Sequence, residues 1–484
     1  MKRAVSLLAL LSTACATMEP AYKRPDPAIP ASWPAGDPYL AQAEVGLPIL
    51  TYQQVFQDPR LQTLIAQALL NNRDLMVAAS NIAAAREQYQ IQRAQQLPTV
   101  NAAAGVTVTG DKDNTASANY QAGITVPSFE IDLFGRLRSL THVQLERYLS
   151  TEAGARATRL TLVAAVVNAW LLHAADSSQR LIAEQTAASA QKSVTITRLR
   201  LQGGVAPRTD LQQAVQILSQ AQADVARERT SVAQDVNALQ LLVGAPVDAK
   251  LLPGSIDEAF ARIAPVPAGL DSYVLLRRPD VLQAEYQLRA ANAQIGVARA
   301  ELFPRITLTG LLGVASGALG KLFTGGAFGW SIGSNATYTI FQAGAGHANV
   351  RLTEAQRNAA VATYQHTIQT AFREVADALA RRSTMNDEIG ARERQQAATA
   401  DTYTLVEARY RAGIDPFLNV LDAQRSFYLA QQAMVLTKLA AAQNIVDLYQ
   451  SIGGDTLLHA TPVCETLPGD QPAGARLAPE CTPG

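Results

Sequence analysis

The stretch Arg409–Ala423 reads RYRAGIDPFLNVLDA, and it has a counterpart earlier in the chain. An ungapped shift of 209 positions places it on Arg200–Ala214, RLQGGVAPRTDLQQA, and aligns a Gly-x-x-Pro motif in the two copies. Glycine tolerates the positive φ found at helix C-termini, and proline is preset for the first turn of a helix. Each copy therefore predicts a helix, a tight turn and a returning helix, which together form the tip of a helical hairpin.

The duplication extends over most of the chain. Matching pairs keep one order at offsets that drift only from 206 to 209 positions. The pairs are Asp74 with Asp280, Arg93-Ala94 with Arg299-Ala300, Leu97-Pro98 with Phe303-Pro304, and Val166 with Val375. Internal repeats of this length decide an architecture before local detail does. We predict two structural repeats, 58–243 and 272–455, joined by a proline-containing linker, 244–271, that forms a belt around the middle.

Bulk composition excludes several classes of protein. The 484 residues carry a formal net charge of zero, and 48% are hydrophobic while 17% are charged. That balance excludes general disorder. Lysine and arginine are scattered rather than clustered, so no phosphate-tracking face is predicted and nucleic acid is excluded as a partner.

The N-terminus has the pattern of an export signal. It begins Met-Lys-Arg, continues with apolar residues from Ala4 to Leu11 and reaches small residues around Cys15. We predict a signal peptide over 1–14 and a lipid on Cys15, with cleavage after Ala16 as the open alternative. One acyl chain binds a membrane only marginally, so such a lipid would assist anchoring rather than carry it alone. The residues that follow, 15–57, contain many prolines and predict an extended strap.

The other two cysteines lie in a tail rich in proline and glycine, 456–484. In an oxidising compartment Cys464 and Cys481 could form a disulfide. A tail with two unpaired thiols is the alternative.

Two regions alternate apolar and polar residues with period two, which predicts β-strands. The first region, 98–134, contains two such runs around a short polar loop. The second, 304–341, repeats the arrangement around a loop rich in glycine. We therefore predict one β-hairpin in each repeat and four strands in all.

Long helical patterns follow each β-hairpin. The segments Arg136–Leu201 and Gly344–Arg411 contain no proline, and at 1.5 Å per residue each would reach about 100 Å. The returning helices, 208–243 and 416–452, are half as long, so shorter helices at 58–96 and 273–302 must complete the opposite side. Dense alanine allows close helix packing, and scattered polar residues suit a water-filled inner wall.

Four strands cannot cross a bilayer alone, because both sheet edges would leave backbone groups unpaired in hydrocarbon. Bacterial barrels have even strand numbers from about eight upward, and three copies of this chain would supply twelve. We see no apolar helical run of about 20 residues, so the strands are the predicted membrane-spanning segments. The alternative is a soluble helical protein with two incidental β-hairpins.

Three phrases resemble the outer membrane factor family, the TolC and OprM exit ducts. They are the leader PAYKRP at 20–25, the phrase EIDLFGR at 130–136 and the tip around Tyr410. The resemblance covers nearly the whole chain and is strongest to the lipoprotein branch of tripartite efflux. It implies a mainly α, internally duplicated TolC-like fold, with a trimeric 12-stranded β-barrel, a long periplasmic α-helical barrel and an equatorial domain.

The same resemblance implies a function. It predicts a passive outer membrane duct for drugs or other small toxic solutes, serving a periplasmic adaptor (a membrane fusion protein) and a proton-driven inner-membrane pump. The expected partners are two further copies of the chain, that adaptor, that pump and outer membrane lipids, with no cofactor besides the lipid on Cys15. Alternatives are a conduit for type I protein or peptide secretion and, in another class, a non-conducting coiled-coil adaptor or envelope spacer.

The resemblance also places a periplasmic gate on the second tip. Leu418 matches an apolar constriction of the family and Asp422 an acidic ring, while Asn419 stands where TolC has another Asp. Tyr410 matches a tyrosine that latches neighbouring hairpins in TolC, but Asp415 stands where TolC has Arg. That latch is therefore not expected intact.

Further candidates are assigned to turn geometry and adaptor docking. They are Gly203, Gly204, Asp210, Tyr410, Gly413 and Asp415, of which Asp210 is the weakest.

Catalytic motifs are poorly supported. Gly329–Gly333, GWSIG, matches a hydrolase elbow around Ser331, but the strand alternation continues through it instead of turning into a helix. The five histidines, at 142, 173, 347, 366 and 459, have no metal-binding spacing. We expect no enzyme activity and no metal.

Overall fold

The computed structural model describes residues 17–30, 32–34, 51–110, 116–266 and 272–454. The described helices are α1 (Tyr52–Val55), α2 (Pro59–Asn71), α3 (Arg73–Ala94), α4 (Arg136–Gln202), α5 (Arg208–Val243), α6 (Ile256–Phe260), α7 (Pro279–Ala300), α8 (Ala345–Arg411) and α9 (Phe417–Ser451). The strands are β1 (Asn101–Gly110), β2 (Ala116–Ile131), β3 (Arg305–Ser316) and β4 (Phe328–Thr337). Short 3-10 helices lie at Ala249–Leu251, Ser272–Arg277 and Leu319–Lys321.

The element lengths repeat as the duplication predicts. Helices α4 and α8 each contain 67 residues, and α3 and α7 each contain 22. The prediction of a mainly α, internally duplicated chain with two β-hairpins is confirmed. The chain divides into two compact units. Of the described residues, unit 1 contains those in 17–27, 80–153 and 282–367, and unit 2 contains those in 28–79, 154–281 and 368–454.

The predicted single helix over 58–96 is two helices, because Asn72 interrupts it. Asn72 has an extended backbone, and its Oδ1 accepts hydrogen bonds from the N–H groups of Asp74 (2.9 Å) and Leu75 (3.1 Å). It thereby ends α2 and caps the start of α3. The second repeat is also divided at this place, where the 3-10 helix Ser272–Arg277 precedes α7.

Unit 1 contains one four-stranded antiparallel sheet in the order β1-β2-β3-β4. The two predicted β-hairpins are joined edge to edge by pairing between β2 and β3. The register brings apolar residues of all four strands onto one face. Two of these cross-strand rows are Ala104, Ala122, Val314 and Phe328, and Ala102, Ile124, Leu312 and Trp330. The opposite face carries polar and small residues with the exception of Leu311, and among them are Gln121, Thr125, Thr309 and Asn335.

A β-bulge in β2 preserves this two-faced pattern. The register shifts between Val126 and Phe129, where Pro127 supplies no backbone N–H to the ladder. Because one extra residue enters the strand, Phe129 and Ile131 return to the apolar face that Val126 occupied. Without the bulge both side chains would face the polar side.

Strands β2 and β3 approach each other closely at two paired glycines. A Cβ on Gly123 would lie 2.6 Å from the backbone oxygen of Leu312, and one on Gly313 would lie 2.4 Å from that of Ala122. Backbone atoms cannot move aside as a flexible side chain can. Only glycine therefore fits at either position of this pair.

The strap is held in unit 1 by a buried carboxylate on α7. The guanidinium of Arg24 donates to both carboxylate oxygens of Glu285 (3.1 and 2.6 Å), and Arg289 donates to the same group (2.7 Å). The side chain of Glu285 is only 2% exposed. Burial opposes its ionisation, but the hydrogen bonds from the two arginines outweigh burial and lower its pKa.

The beginning of the strap lies against the corner between β2 and α4. Gly135 has a φ of +73°, and a Cβ there would lie 2.8 Å from Cα of Thr17. Nearby, the imidazole of His142 contacts Glu19 (2.8 Å) and Glu146 (3.1 Å), and these two carboxylates raise its pKa to about 10. The strap is thus fixed from its first described residue.

Unit 2 is built on a buried aromatic core between its helices and the linker. Trp170 of α4 is fully buried, and its indole N–H donates to the backbone oxygen of Leu251 in the linker (3.0 Å). The rings of Phe56 and Tyr449 meet edge to face at 5.3 Å, and Phe56 also forms a β-bridge with Ile263. The linker is therefore packed structure rather than a loose connection.

One described helix, α4, contains an 18-residue window that is long and apolar enough to cross a membrane. The sequence analysis predicted no apolar helical run of about 20 residues, and the composition of this window shows that this prediction is wrong. However, 67% of that window is buried inside the protein. Its apolar residues belong to the core of unit 2, as in the core helix of many soluble bundles.

Candidate functional site

The two tips have the same pattern of backbone hydrogen bonds. They are Arg200–Ala214 and Arg409–Ala423. The N–H of Val205 donates to the backbone oxygen of Arg200, and that of Ile414 to the backbone oxygen of Arg409, both at 2.9 Å. The glycines between them, Gly204 and Gly413, have φ values of +74° and +80°. This is the six-to-one hydrogen bond of a helix C-terminal Schellman motif.

The return helices also start alike. Pro207 and Pro416 have extended backbone and immediately precede α5 and α9. Their backbone oxygens accept from the N–H groups of Asp210 (3.2 Å) and Asn419 (3.1 Å). Asp210 and Asn419 therefore occupy the same place in the first turn of the two helices.

An apolar cluster packs the two tips of unit 2 against each other. Its buried members are Val194, Ala214, Tyr410, Phe417, Val420 and Leu421. The rings of Tyr410 and Phe417 lie 5.2 Å apart and are tilted by 47°. Because the cluster draws residues from both repeats, the position of one tip depends on the other.

The predicted gate residues lie together on the outer face of α9. The side chain of Leu418 is 61% exposed, and Asn419 and Asp422 are exposed beside it. Spacing of four residues places Leu418 and Asp422 on one side of the helix. Arg425, which the sequence analysis did not single out, donates to Asp422 at 2.7 Å. The three-residue spacing on a helix could have revealed this pair.

Tyr410 is buried, but its hydroxyl has no hydrogen-bond partner among the described residues. Instead, its ring and its backbone are contacted by Arg200 of the first tip. The guanidinium carbon of Arg200 lies 4.6 Å from the ring centroid, and its Nη1 donates to the backbone oxygen of Tyr410 at 3.1 Å. Sequence reasoning quoted Arg200 as the start of the tip but gave it no role.

Asp415 pairs within its own tip. The guanidinium of Arg409 donates to both of its carboxylate oxygens, at 2.7 and 3.1 Å. The hydrogen bond from Arg409 lowers the pKa of Asp415. Gly203 of the first tip continues the end of α4, with its N–H donating to the backbone oxygen of Leu199 (2.9 Å).

Two further tyrosines connect the helical hairpins, and the sequence analysis missed both. The hydroxyl of Tyr403 on α8 lies 3.0 Å from Oγ of Ser189 on α4. The hydroxyl of Tyr428 on α9 donates to Asp224 on α5 at 3.0 Å. Neither contact has a sequence motif, because each joins residues more than 200 positions apart.

Other predicted sites are placed differently. Cys15, Cys464 and Cys481 lie outside the described residues, so the lipid and the disulfide stay predictions. Ser331 lies in the middle of β4 opposite Leu311, and the strand continues to Thr337 without the sharp turn that a nucleophile elbow needs. Within the described part of the chain, no group of three His, Cys, Asp or Glu side chains could hold a metal ion.

Comparison with known proteins identifies the family. The profile described as outer membrane efflux protein matches residues 64–245 and 271–454. Two relatives from Pseudomonas putida, antibiotic efflux pump outer membrane protein ArpC and toluene efflux pump outer membrane protein TtgC, are each 41% identical over 465 residues, which is 93% of this chain and 95% of each relative.

Solved structures agree with the sequence comparison. The open-state crystal structure of the Neisseria gonorrhoeae MtrE outer membrane channel superposes with a TM-score of 0.83 at 33% identity, covering 91% of this chain and 99% of MtrE. The chain therefore belongs to the outer membrane efflux protein family, has its TolC-like fold and is an exit duct of the outer membrane.

Proposed function

We propose that three copies of this chain close one twelve-stranded barrel and conduct small toxic solutes out of the cell. The observation that carries this proposal is the sheet of unit 1. Strands β1 and β4 pair on one side only within the described residues, and one face is apolar across all four strands. An open edge in hydrocarbon leaves backbone groups unpaired at several kcal/mol each, so β1 of one copy must pair with β4 of the next.

The solutes are apolar or amphipathic toxic compounds. Support comes from the relatives named above, one of which is named as an antibiotic efflux pump protein and the other as a toluene efflux pump protein. No chemical step by this chain is needed for passage. A periplasmic adaptor and a proton-driven inner-membrane pump supply the solutes and the energy.

The gate lies at the second tip. With three copies, Leu418 forms an apolar ring that bars hydrated solutes, and Asp422 forms a charged ring beside it. Each Asp422 has Arg425 as a partner at 2.7 Å. Cation selectivity of this ring is therefore weak, because each carboxylate is partly neutralised within its own copy.

A lipid on Cys15 completes the anchor. Thr17 lies against the corner that follows β2, the strand proposed to span the membrane. Mass spectrometry of the mature chain should detect acylation, which Cys15→Ala should abolish.

The assembly is tested on protein purified from outer membranes in mild detergent. We expect a trimer by native mass spectrometry and stepwise conductance in planar bilayers. A deletion strain should lose tolerance to antibiotics and toluene, and expression of the chain should restore it. A monomeric particle without conductance would contradict the duct, while loss of a secreted polypeptide with unchanged tolerance would contradict the solute class.

A further inference from the structure

We propose that Leu97 of one copy packs on Phe341 of the neighbouring copy, beside the seam where β1 of the first pairs with β4 of the second. The contact rests on the trimer proposed above and specifies how its copies fit together. Both residues are bare in one chain, since Leu97 is 69% exposed and Phe341 is 84% exposed. Leu97 precedes β1 and Phe341 follows β4, so they lie at the two outer edges of the sheet, at the end nearer the helices.

A covered version of this contact exists within the chain. Where β2 of the first repeat meets β3 of the second, the rings of Phe134 and Phe303 stack with their centroids 4.7 Å apart. Phe303 corresponds to Leu97 at an offset of 206 positions, and Phe134 corresponds to Phe341 at an offset of 207, which aligns the sequence IDLF with YTIF. The junction between the two repeats of one chain therefore predicts the junction between two copies.

The apolar residues next to this pair show the same difference. Val100 and Ile340, at the outer edges, are largely exposed, whereas their equivalents at the inner junction, Ile306 and Leu133, are half-buried. Equivalent positions are thus covered where two repeats meet and bare where the sheet of one chain ends. The surface that covers them inside is a repeat of this chain, so a second copy is the partner that fits both edges. Such a head-to-tail contact closes into a ring when rotation repeats it.

The inner junction also predicts the register of the seam. Ile131 of β2 is the Cα partner of Ile306 of β3. The equivalent pair at the seam is Tyr338 with Val100 of the neighbouring copy. All of these residues share the apolar face of the sheet by alternation. A shift of the seam by one residue would place one member of every pair on the polar face.

The same register is consistent with closure of a barrel. Since β4 pairs with β3 in one uninterrupted register, we extend the seam along it, and Ile332 then lies opposite Val106 of the neighbouring copy. Followed across the sheet from Ala104 to Phe328, the pairing reaches Gly110 of that copy, six residues further along β1. At about 3.3 Å per residue and about 4.8 Å between strands, this advance over four strands tilts them by about 45°, as in closed barrels.

Crosslinking in isolated outer membranes tests the contact, in a chain whose two tail cysteines are replaced by serine. Leu97→Cys combined with Phe341→Cys should give covalent trimers with a short bifunctional thiol reagent. The matched control is Phe134→Cys with Phe303→Cys, which should crosslink within one chain and leave it at the size of a monomer. Native trimers in which the control reacts and the outer pair does not would overturn the contact but leave the proposed duct. Absence of trimers altogether would contradict the proposed function itself.

Disulfide formation between strands tests the register. Ile332→Cys should crosslink with Val106→Cys severalfold more than with Ala104→Cys or Val108→Cys. Directly opposite Cα atoms lie about 5 Å apart, whereas positions displaced by two residues lie about 7–8 Å away, beyond the reach of a disulfide. A higher yield with either displaced partner would overturn the register.

Thermal dissociation of the trimer in detergent gives a second measurement of the contact. Phe341→Ala should lower the dissociation temperature, because it removes an apolar side chain that the neighbouring copy covers. Phe323→Ala is the matched control, since Phe323 is also 84% exposed but lies in the loop between β3 and β4, at the opposite end of the sheet. It should dissociate as the wild type does. Equal dissociation temperatures for Phe341→Ala and the wild type would argue against the contact.

Discussion

The two helical tips have the same backbone and different side chains. Each turn has a glycine at positive φ, a six-to-one hydrogen bond and a proline before the return helix. The exposed residues of the proposed gate, Leu418 and Asp422, however, correspond to Thr209 and Gln213 in the first tip. Duplication has preserved the geometry of the turn, while divergence has given the two tips different exposed side chains.

The contacts between the hairpins show the same asymmetry. Three tyrosines of the second hairpin, at 403, 410 and 428, contact the first hairpin through Ser189, Arg200 and Asp224. Their equivalents in the first repeat are Val194, Leu201 and Ser219. The second hairpin therefore supplies the aromatic groups, and the first supplies a fixed surface of polar and charged partners.

The largest predicted effect follows from the residues of the proposed gate. Leu418→Ala combined with Asp422→Ala should raise single-channel conductance severalfold, because it removes both the apolar ring and the charged ring. The matched pair in the first tip, Thr209→Ala with Gln213→Ala, should leave conductance near that of the wild type. Equal effects of the two double variants would show that the tips share the gate.

Features with a local signal could be predicted from the sequence. The period-two alternation predicted the strands, and the absence of proline predicted helices that match α4 and α8 to within one or two residues. The repeated Gly-x-x-Pro predicted both tips, because each of these residues restricts its own backbone. The matching residues at a nearly fixed offset then predicted two structural repeats.

Features that depend on tertiary partners could not be predicted. The break at Asn72 depends on capping of α3 and on a hydrogen bond from its side chain to the backbone oxygen of Leu242 (2.8 Å), a partner 170 positions away. The contact of Arg200 with Tyr410 likewise has no local signal. A helical arginine near a turn is ordinary in sequence, and only the folded packing of the two tips shows where it points.

The second prediction concerns pH and compares the two hairpins at a position away from their tips. Asp235 of α5 is buried, and Asp176 of α4 is the carboxylate that acts on it. Burial raises the pKa of Asp235 to about 7, followed by the charge of Asp176 and hydrogen bonding to it. Asp176 also has a raised pKa, from burial and then from the charge of Glu228. The equivalent residues of the second hairpin are Met385 and Asn444, which do not titrate.

The direction in which stability changes with pH follows from proton binding. Since the folded pKa of Asp235 lies above its ordinary value of 3.8, the folded state holds more protons between these pH values. The stabilisation that protonated Asp235 gives the folded state is complete below its ordinary pKa of 3.8. It is lost as the pH rises through about 7. The free energy of local opening of α4 and α5 should fall by at most about 1.4 kcal/mol per pH unit in that window.

Hydrogen exchange between pH 5 and 8, corrected for intrinsic rates, measures this dependence separately for each hairpin. Protection of α4 and α5 should decrease with pH relative to α8 and α9. Asp235→Asn should reduce the difference, because the amide cannot ionise and only Asp176 of the pair still can. A pH dependence that is the same in both hairpins would argue against the carboxyl pair as its cause.

The third prediction concerns the contact of Tyr428 with Asp224. Asp224 is 4% exposed and accepts from Tyr428, Gln220 and Arg227. Tyr428→Phe removes one donor from a buried carboxylate, so α9 should open more easily by about 2 kcal/mol in hydrogen exchange. The equivalent change in the first hairpin, Ser219→Ala, should cost much less.

The smallest effect is predicted at the glycines, and there the two tips should behave alike. Gly204 and Gly413 both have positive φ, and a Cβ at either position would meet nothing within 4 Å. Alanine should therefore cost only the backbone strain of the left-handed region, about 1 kcal/mol at each tip. Hydrogen exchange at the residues after each glycine measures the two costs under one condition. Equal values mean that the two turns have the same energetic cost as well as the same geometry, while a larger cost at Gly413 would locate extra strain in the tip that carries the proposed gate.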